Sequence, residues 1–247
     1  MRVYRWLTMF LLVGAFMLAG CSTGEVASDS STPDTPTSSP DVEEVGSGLP
    51  RLEGEAVVEM VVNGETIAIN VNGNNAPITA GNFVDLVQKG VYDGVAFHRV
   101  VKEPEPFVVQ GGDPQSQDPS VPMAQLGTGG YVDPSTAAPR YIPLEIQPAG
   151  AEEPIYSQPF SSLDNSPTPE LTHTRGAVAM ARSQFPDSAS SQFYFALADL
   201  SFLDGDYAVF GYVEDGDMDV VDSIQQGDRI ESAQVVSGLD NLQTPDE

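Results

Sequence analysis

The sequence predicts a mainly β domain, either an antiparallel sandwich or a closed barrel, and three observations carry that prediction. About eight short runs rich in β-branched and aromatic residues recur between residues 55 and 236, punctuated by turn residues. Asn63-Gly64 lies between the first two runs, a strong hairpin signal. Only two short stretches, after Ala76 and after Gly216, space their apolar residues as a helix does.

In chain order, Glu55 to Val62 (EAVVEMVV) and Thr66 to Val71 (TIAINV) form the first hairpin. Ala76-Pro77-Ile78-Thr79 opens a helix with Thr79 as the expected N-cap. Phe83, Val84, Leu86 and Val87 give that helix an apolar face, and Gly90 supplies its stop. Strands are expected at residues 95–101 and 107–110. From Pro114 to Thr174 the chain is rich in Pro, Gly, Ser and Gln, and only Tyr141 to Ile146 has strand character. A structureless loop of that length is uncommon in a compact domain, so several ordered pieces are expected within it. Gly176 to Ala181, Gln192 to Leu197 and Tyr207 to Val213 follow as strands, Met218 to Ile224 as a second helix, and Arg229 to Val236 as the closing strand. Residues 51–240 thus read as one domain large enough for a real core, with 241–247 as a tail.

The first 50 residues are organised differently. Arg2 and Arg5 precede an apolar run from Trp6 to Ala19. The run is shorter than the about 20 residues that a membrane span needs, and residues 1–20 fit a secretory signal. Leu18-Ala19-Gly20-Cys21 resembles the lipobox of bacterial lipoproteins, which implies cleavage before Cys21 and diacylglycerol modification of that residue. Cys21 is the single cysteine, so no internal disulfide can form. Several acyl chains on one residue meet the need for more than one hydrophobic anchor. Residues 22–50 are dominated by Ser, Thr, Pro and acids, with no Lys or Arg, and read as a disordered tether. Its r.m.s. reach is roughly 30 Å. The expected protein is exported and held to a bacterial membrane by lipid, on the periplasmic or extracellular face.

The formal charge is −26, and removal of residues 1–20 takes it to −28 because two arginines and no acid are lost. That balance argues against nucleic-acid binding, which needs a basic footprint, and against adhesion to anionic headgroups.

Within the domain, Arg99 follows Phe97-His98, and Gln110 lies three residues past Phe107. A cation and an amide on an apolar sheet face cost free energy unless they are bonded or used, so the pair marks a site. By strand alternation Val108 and Gln110 share a face, as do Gln192 and Tyr194, while His98 points away from Arg99 and reads as a structural hydrogen-bonder. Gly111-Gly112 reads as a backbone bend. The acidic runs at 204–206 and 214–219 lack EF-hand spacing and read as turns.

The chain carries Tyr92-Asp93-Gly94, Phe97-His98-Arg99-Val100, Phe107 with Gln110-Gly111-Gly112-Asp113-Pro114, and Gly127-Thr128-Gly129-Gly130. Arg175-Gly176 through Met180-Ala181, Ser191-Gln192-Phe193-Tyr194-Phe195, Phe202-Leu203-Asp204-Gly205 and Val209-Phe210-Gly211 follow. Taken together and in this order, the motifs resemble the cyclophilin family of peptidyl-prolyl cis-trans isomerases. The resemblance implies an eight-stranded antiparallel closed β-barrel capped by two helices, with a proline-binding groove on its outside. It implies that Arg99 is the catalytic arginine and that Phe107, Val108, Gln110, Ala181, Gln192, Tyr194, Phe202, Leu203 and Tyr207 bind substrate. Val108 stands where methionine is common, Tyr194 where phenylalanine is usual, Phe202 for a tryptophan and Tyr207 for a histidine. The missing indole N–H argues against strong cyclosporin binding. Arg182 stands where asparagine is frequent, and the KEPEP connection after Val101 is about three residues longer than the common pattern.

The chemistry that this implies needs no metal or cofactor, because the catalyst only has to favour a twisted Xaa-Pro amide over its planar states. The expected partners are proline-containing segments of unfolded or exported proteins, met by a monomer without nucleic acid. The alternative from another class is a module that holds such segments without turnover, motivated by the long connection and the 114–175 insert. A Ser/His/Asp hydrolase fails on inventory, with two histidines and no Gly-x-Ser-x-Gly elbow. Zinc chemistry fails likewise, with one cysteine and no His-x-x-x-His.

Overall fold

A computed structural model describes residues 45–245. The expected signal segment 1–20, Cys21 and the tether as far as residue 44 lie outside the described residues. Eight strands form one sheet: β1 (Glu55–Val62), β2 (Glu65–Asn72), β3 (Arg99–Val101), β4 (Val108–Gly111), β5 (Ala177–Met180), β6 (Phe193–Ala196), β7 (Val209–Val213) and β8 (Ile230–Ser237). Their order across the sheet is β8-β1-β2-β7-β5-β6-β4-β3, with every pairing antiparallel. Among the described residues the two α-helices are α1 (Pro77–Gln88) and α2 (Met218–Ser223).

The closed barrel expected from the sequence is corrected by this topology. The edge strands β3 and β8 do not pair as strands, so the sheet is an open half-barrel. A single bridge, Ala96 to Arg229, crosses the gap just ahead of both strands. The reason is local: the expected strand at 95–101 keeps ladder geometry only over Arg99–Val101. Residues before it bond individually across the seam, Gly94 N to Ile230 O and Phe97 N to Asp228 O. The Arg229 guanidinium fills the rest by donating to the carbonyls of Gly94 and Ser116.

Side-chain alternation explains how one sheet serves two faces. Along β1, Ala56, Val58, Met60 and Val62 point inward while their neighbours are exposed or half-buried. By contrast β5 and β6 are buried at every position, because both of their faces are covered. Val178, Met180, Phe193 and Phe195 join Phe83 of α1, Tyr92, Phe97 and Phe210 in the main core. Ala177, Ala179, Tyr194 and Ala196 join Val108 and Val209 in a second apolar layer on the other side. Burying that layer stabilises the sheet at about 25 cal/mol per Å² of apolar surface removed from water.

The 114–175 insert is ordered in pieces. It contains 3₁₀ turns at Pro114–Gln117, Met123–Gln125 and Phe160–Ser162, and a two-strand ladder of Glu145–Ile146 with Ile155–Tyr156. Of the expected strand over Tyr141–Ile146, only Glu145–Ile146 forms. Leu242–Gln243, expected within a tail, pairs with Arg51–Leu52, so the fold extends past residue 240.

The N-cap expectation for Thr79 also needs correction. Helix α1 starts at Pro77, Ala76 is its N-cap residue without a side-chain cap, and Thr79 lies inside the helix. The first free N–H groups are met from far along the chain: Ile78 N and Thr79 N donate to the two carboxylate oxygens of Glu145 at 3.1 and 2.7 Å. Glu145 is 1 % exposed. An anion suits a helix N-terminus, and burial nevertheless holds its carboxyl above the ordinary value of 4.5.

Glu145→Ala should therefore lower stability by about 1–3 kcal/mol, since it strands buried donors; an unchanged urea midpoint would exclude the cap as a stabilising contact. The pH dependence has a definite sign. A carboxyl whose folded value is raised binds its proton more tightly in the folded state, so its contribution is complete below pH 4.5 and is lost as pH rises through the raised value. The stability advantage of wild type over Glu145→Gln should accordingly shrink as pH rises from about 4.

Candidate active site

The site grows from strand register. In the β3–β4 ladder Arg99 lies opposite Gln110, and in the β4–β6 ladder Gln110 lies opposite Tyr194. Tyr194 in turn faces Ala179 of β5. Directly opposed residues project on the same face, so Arg99, Gln110 and Tyr194 form one row across three strands on the side of the second apolar layer. The KEPEP connection leaves this register intact, since Val100 and Val101 pair with Val109 and Val108.

Around the row, one recess is lined by Arg99, Phe107, Val108, Gln110, Ala181, Arg182, Tyr194, Leu203 and Tyr207. Every residue expected to bind substrate lines it except two. Phe202 flanks it, 68 % exposed, with its ring stacked on Phe107 at 6.0 Å between centroids. Gln192 lines the adjoining recess with Gly127–Gly130, and Gln110, Ala181 and Arg182 border both. The two recesses form a groove that is apolar on one side and amide-lined on the other.

Arg99 is exposed at the rim. Its guanidinium lies 5.3 Å from the centre of the Phe107 ring, and Nη1 donates to Gln110 Oε1 at 3.2 Å. Gln110 Nε2 then donates to Gln192 Oε1 at 3.1 Å, and Gln192 Nε2 to Gly129 O at 2.7 Å. This amide chain fixes which face of Gln110 meets the arginine. Its far end is held by Asp113, fully buried, whose Oδ2 accepts from Gly127 N and Gly129 N at 2.7 and 3.0 Å. Gly129 has to be glycine, because a Cβ there would lie 2.1 Å from Asp113 Oδ1. Gly112 follows β4 with φ of +90°, and a Cβ on it would lie 2.3 Å from the Ser191 carbonyl oxygen, the bend expected at Gly111-Gly112.

The floor has its own support. Asp204 Oδ1 accepts from the backbone N and from Nδ1 of His173, at 2.7 and 2.8 Å. An ionised carboxylate can only accept, so Nδ1 carries the proton and Nε2 offers a lone pair. Tyr194 Oη, 2.9 Å from Nε2, therefore donates to it. The Tyr194 ring is thereby fixed, and it meets the Tyr207 ring in a T-shaped contact, 6.1 Å between centroids at 80°. Burial pushes the Tyr194 hydroxyl well above its ordinary value and holds the His173 imidazole below its own. Sequence reasoning treated Asp204 as an acidic turn and gave His173 no role. A histidine in a chain with only two of them was the available signal.

His98 departs from its expected role. It is 8 % exposed and packs against Gly127, but its Nδ1 has no hydrogen-bond partner among the described residues. Burial holds its imidazole below the ordinary value, with Arg99 adding to the effect.

Comparison with known proteins agrees with this architecture. Residues 57–242 match the family model for cyclophilin type peptidyl-prolyl cis-trans isomerases. A Synechocystis sp. protein named for the thylakoid lumen and for peptidyl-prolyl cis-trans isomerase is 42 % identical over 205 residues, covering 78 % of this chain and 50 % of its own. A chloroplastic peptidyl-prolyl cis-trans isomerase of Arabidopsis thaliana is 39 % identical over 215 residues, covering 80 % and 46 %. The chain thus spans about half the length of these relatives. A peptidyl-prolyl cis-trans isomerase of Acinetobacter baylyi is 36 % identical over 173 residues, covering 68 % and 71 %. In fold, a Cryptosporidium parvum cyclophilin solved in the presence of the dipeptide Ala-Pro superposes with a TM-score of 0.52 at 23 % identity, over 73 % of this chain and 99 % of that one.

The Asp204–His173–Tyr194 relay yields a direct test. Tyr194→Phe should lower stability by about 1–3 kcal/mol by leaving a buried imidazole nitrogen unbonded, and nitrogen NMR of wild type should place the His173 proton on Nδ1. A proton on Nε2 would exclude the relay. Because folding lowers the His173 value, its contribution is present above pH 6.5 and is lost as pH falls. Strand order, groove and sequence match converge, and the chain belongs to the cyclophilin-type peptidyl-prolyl cis-trans isomerase family.

Proposed function

We propose that the protein isomerises Xaa-Pro bonds of exported proteins and so assists their folding. The observation that carries this is the row of Arg99, Gln110 and Tyr194 beside an apolar recess, with Arg99 exposed and, among the described residues, hydrogen-bonded only to an amide. Rotation about an Xaa-Pro bond breaks amide resonance, at a barrier of about 18–20 kcal/mol. In the twisted amide the prolyl nitrogen becomes pyramidal and gains a lone pair. A guanidinium donor aimed at that nitrogen binds the twisted form better than either planar one, which is what lowers the barrier. Arginine suits the role because it is always charged and presents its donors in a rigid fork.

Phe107, Val108, Tyr194, Leu203 and Tyr207 would grip the proline ring, with Phe202 buttressing Phe107 from outside. Gln110 orients the guanidinium and offers its own amide to the substrate backbone. Magnitudes require this division of labour. A thousandfold acceleration needs about 4 kcal/mol, and one hydrogen bond from a charged donor supplies about 1.5–3 kcal/mol. Arg99 therefore works with removal of water from the substrate carbonyl.

Names that place relatives in the thylakoid lumen or chloroplast support an exported setting. Within that setting the protein is a monomer, tethered by a lipid on Cys21 and reaching its clients across the residues that precede the domain. The holding-only alternative loses one of its motives, since the long connection leaves Arg99 opposite Gln110.

In a protease-coupled assay on an Xaa-Pro peptide, the fragment from residue 45 should accelerate isomerisation, and Arg99→Ala should cost about a hundredfold in kcat/KM. Equal rates for the two would overturn the mechanism. Peptide binding without acceleration in wild type would instead assign a holding role.

A further inference from the structure

We infer that Arg182 is a second cation of the groove and selects substrates with a carboxylate side chain within two residues of the proline; this rests on the isomerase reading of the same site. Arg182 lines both recesses and is half-buried. Nε and Nη2 donate to the carbonyl of Asp206 at 2.9 and 2.7 Å, and Nη1 to that of Ser183 at 2.9 Å. The guanidinium also lies 4.7 Å from the centre of the Tyr207 ring. These contacts fix its position, yet carbonyls and a ring face do not neutralise it. Of its five donors, about two stay uncommitted.

Carboxylates are abundant along the chain but absent from the groove lining. The chain has 36 acids and 10 bases. Lys89, Arg140 and Arg175 each pair with an aspartate. Among the described residues neither Arg99 nor Arg182 makes an ion pair, and no acid lines either recess. Two unpaired arginines thus face one groove. Arg99 is engaged by Gln110 and directed to the prolyl nitrogen, which leaves Arg182 for a substrate side chain. A pre-oriented fork matches a carboxylate, and extended peptide advances about 3.3 Å per residue, so a residue flanking a proline seated on Tyr207 comes within reach. The overall negative charge does not cancel the effect, since at physiological salt charges beyond about 8 Å are screened.

The test uses peptides that differ only in the residues flanking Xaa-Pro, carrying Glu, Gln or Lys, with exchange rates measured by NMR at physiological salt. Wild type should favour the Glu over the Gln peptide by about three- to tenfold in kcat/KM. Arg182→Gln should remove that preference, and Arg182→Glu should invert it toward the Lys peptide, an outcome that simple misfolding does not produce. A preference that survives both substitutions, or wild-type rates indifferent to peptide charge, would overturn the inference while leaving the isomerase reading intact. If no peptide is isomerised, that reading fails instead, and peptide dissociation constants for the same variants still decide whether Arg182 discriminates charge.

Discussion

The register between β3, β4 and β6 is the constraint on which the site depends. Side chains alternate strictly along a strand, so a slip of one residue would send every groove residue to the opposite face. With the register as it stands, Arg99, Gln110 and Tyr194 stand in line on the outer layer while Phe97, Val109, Phe193 and Phe195 fill the inner core. Tight packing on the inner side therefore defines geometry on the outer side. Those phenylalanines meet edge to face, Phe193 against Phe83, Tyr92 and Phe195 at 5.4–5.5 Å, which leaves little freedom for the sheet to slide.

The groove combines two kinds of support. Its polar wall is an amide chain anchored on a buried aspartate, in which Gln110 and Gln192 each accept through the amide oxygen and donate through the amide nitrogen. Its apolar floor rests on the relay through His173. In both cases a carboxylate that never reaches the groove surface sets the orientation of a residue that does. The acids are kept one contact behind, so the groove presents cations, neutral polar groups and apolar surface but no carboxylate.

Much of the fold was legible because alternation and turn residues are local signals. The strand runs, the Asn63-Gly64 hairpin and both helices were read from windows of a few residues, and the family motifs located the groove. What escaped depends on contacts between distant positions. Closure of the barrel turns on a three-residue edge strand and on the side chain of Arg229. The cap of α1 comes from Glu145, 66 residues downstream of Thr79, where no local pattern betrays it. The relay joins His173 to positions 31 and 21 residues away. His98 looked like a satisfied polar residue because sequence shows which face it takes and not what awaits it there. The register across KEPEP could not be counted from spacing at all, and the ladder defines it.

Glu145 changes how the long central segment should be regarded. A stretch that lies outside the common pattern of its family invites treatment as a detachable ornament. Here its carboxylate terminates the principal helix from inside the molecule, and Gln147 next to it accepts a hydrogen bond from Asn75 just ahead of that helix. Excision would open a helix end in the middle of the core, so a shortened version of the domain would need a new terminating residue designed in its place. The segment is a structural graft that serves both sides of the sheet, closing the helix on one and supplying Gly127–Gly130 and His173 to the groove on the other.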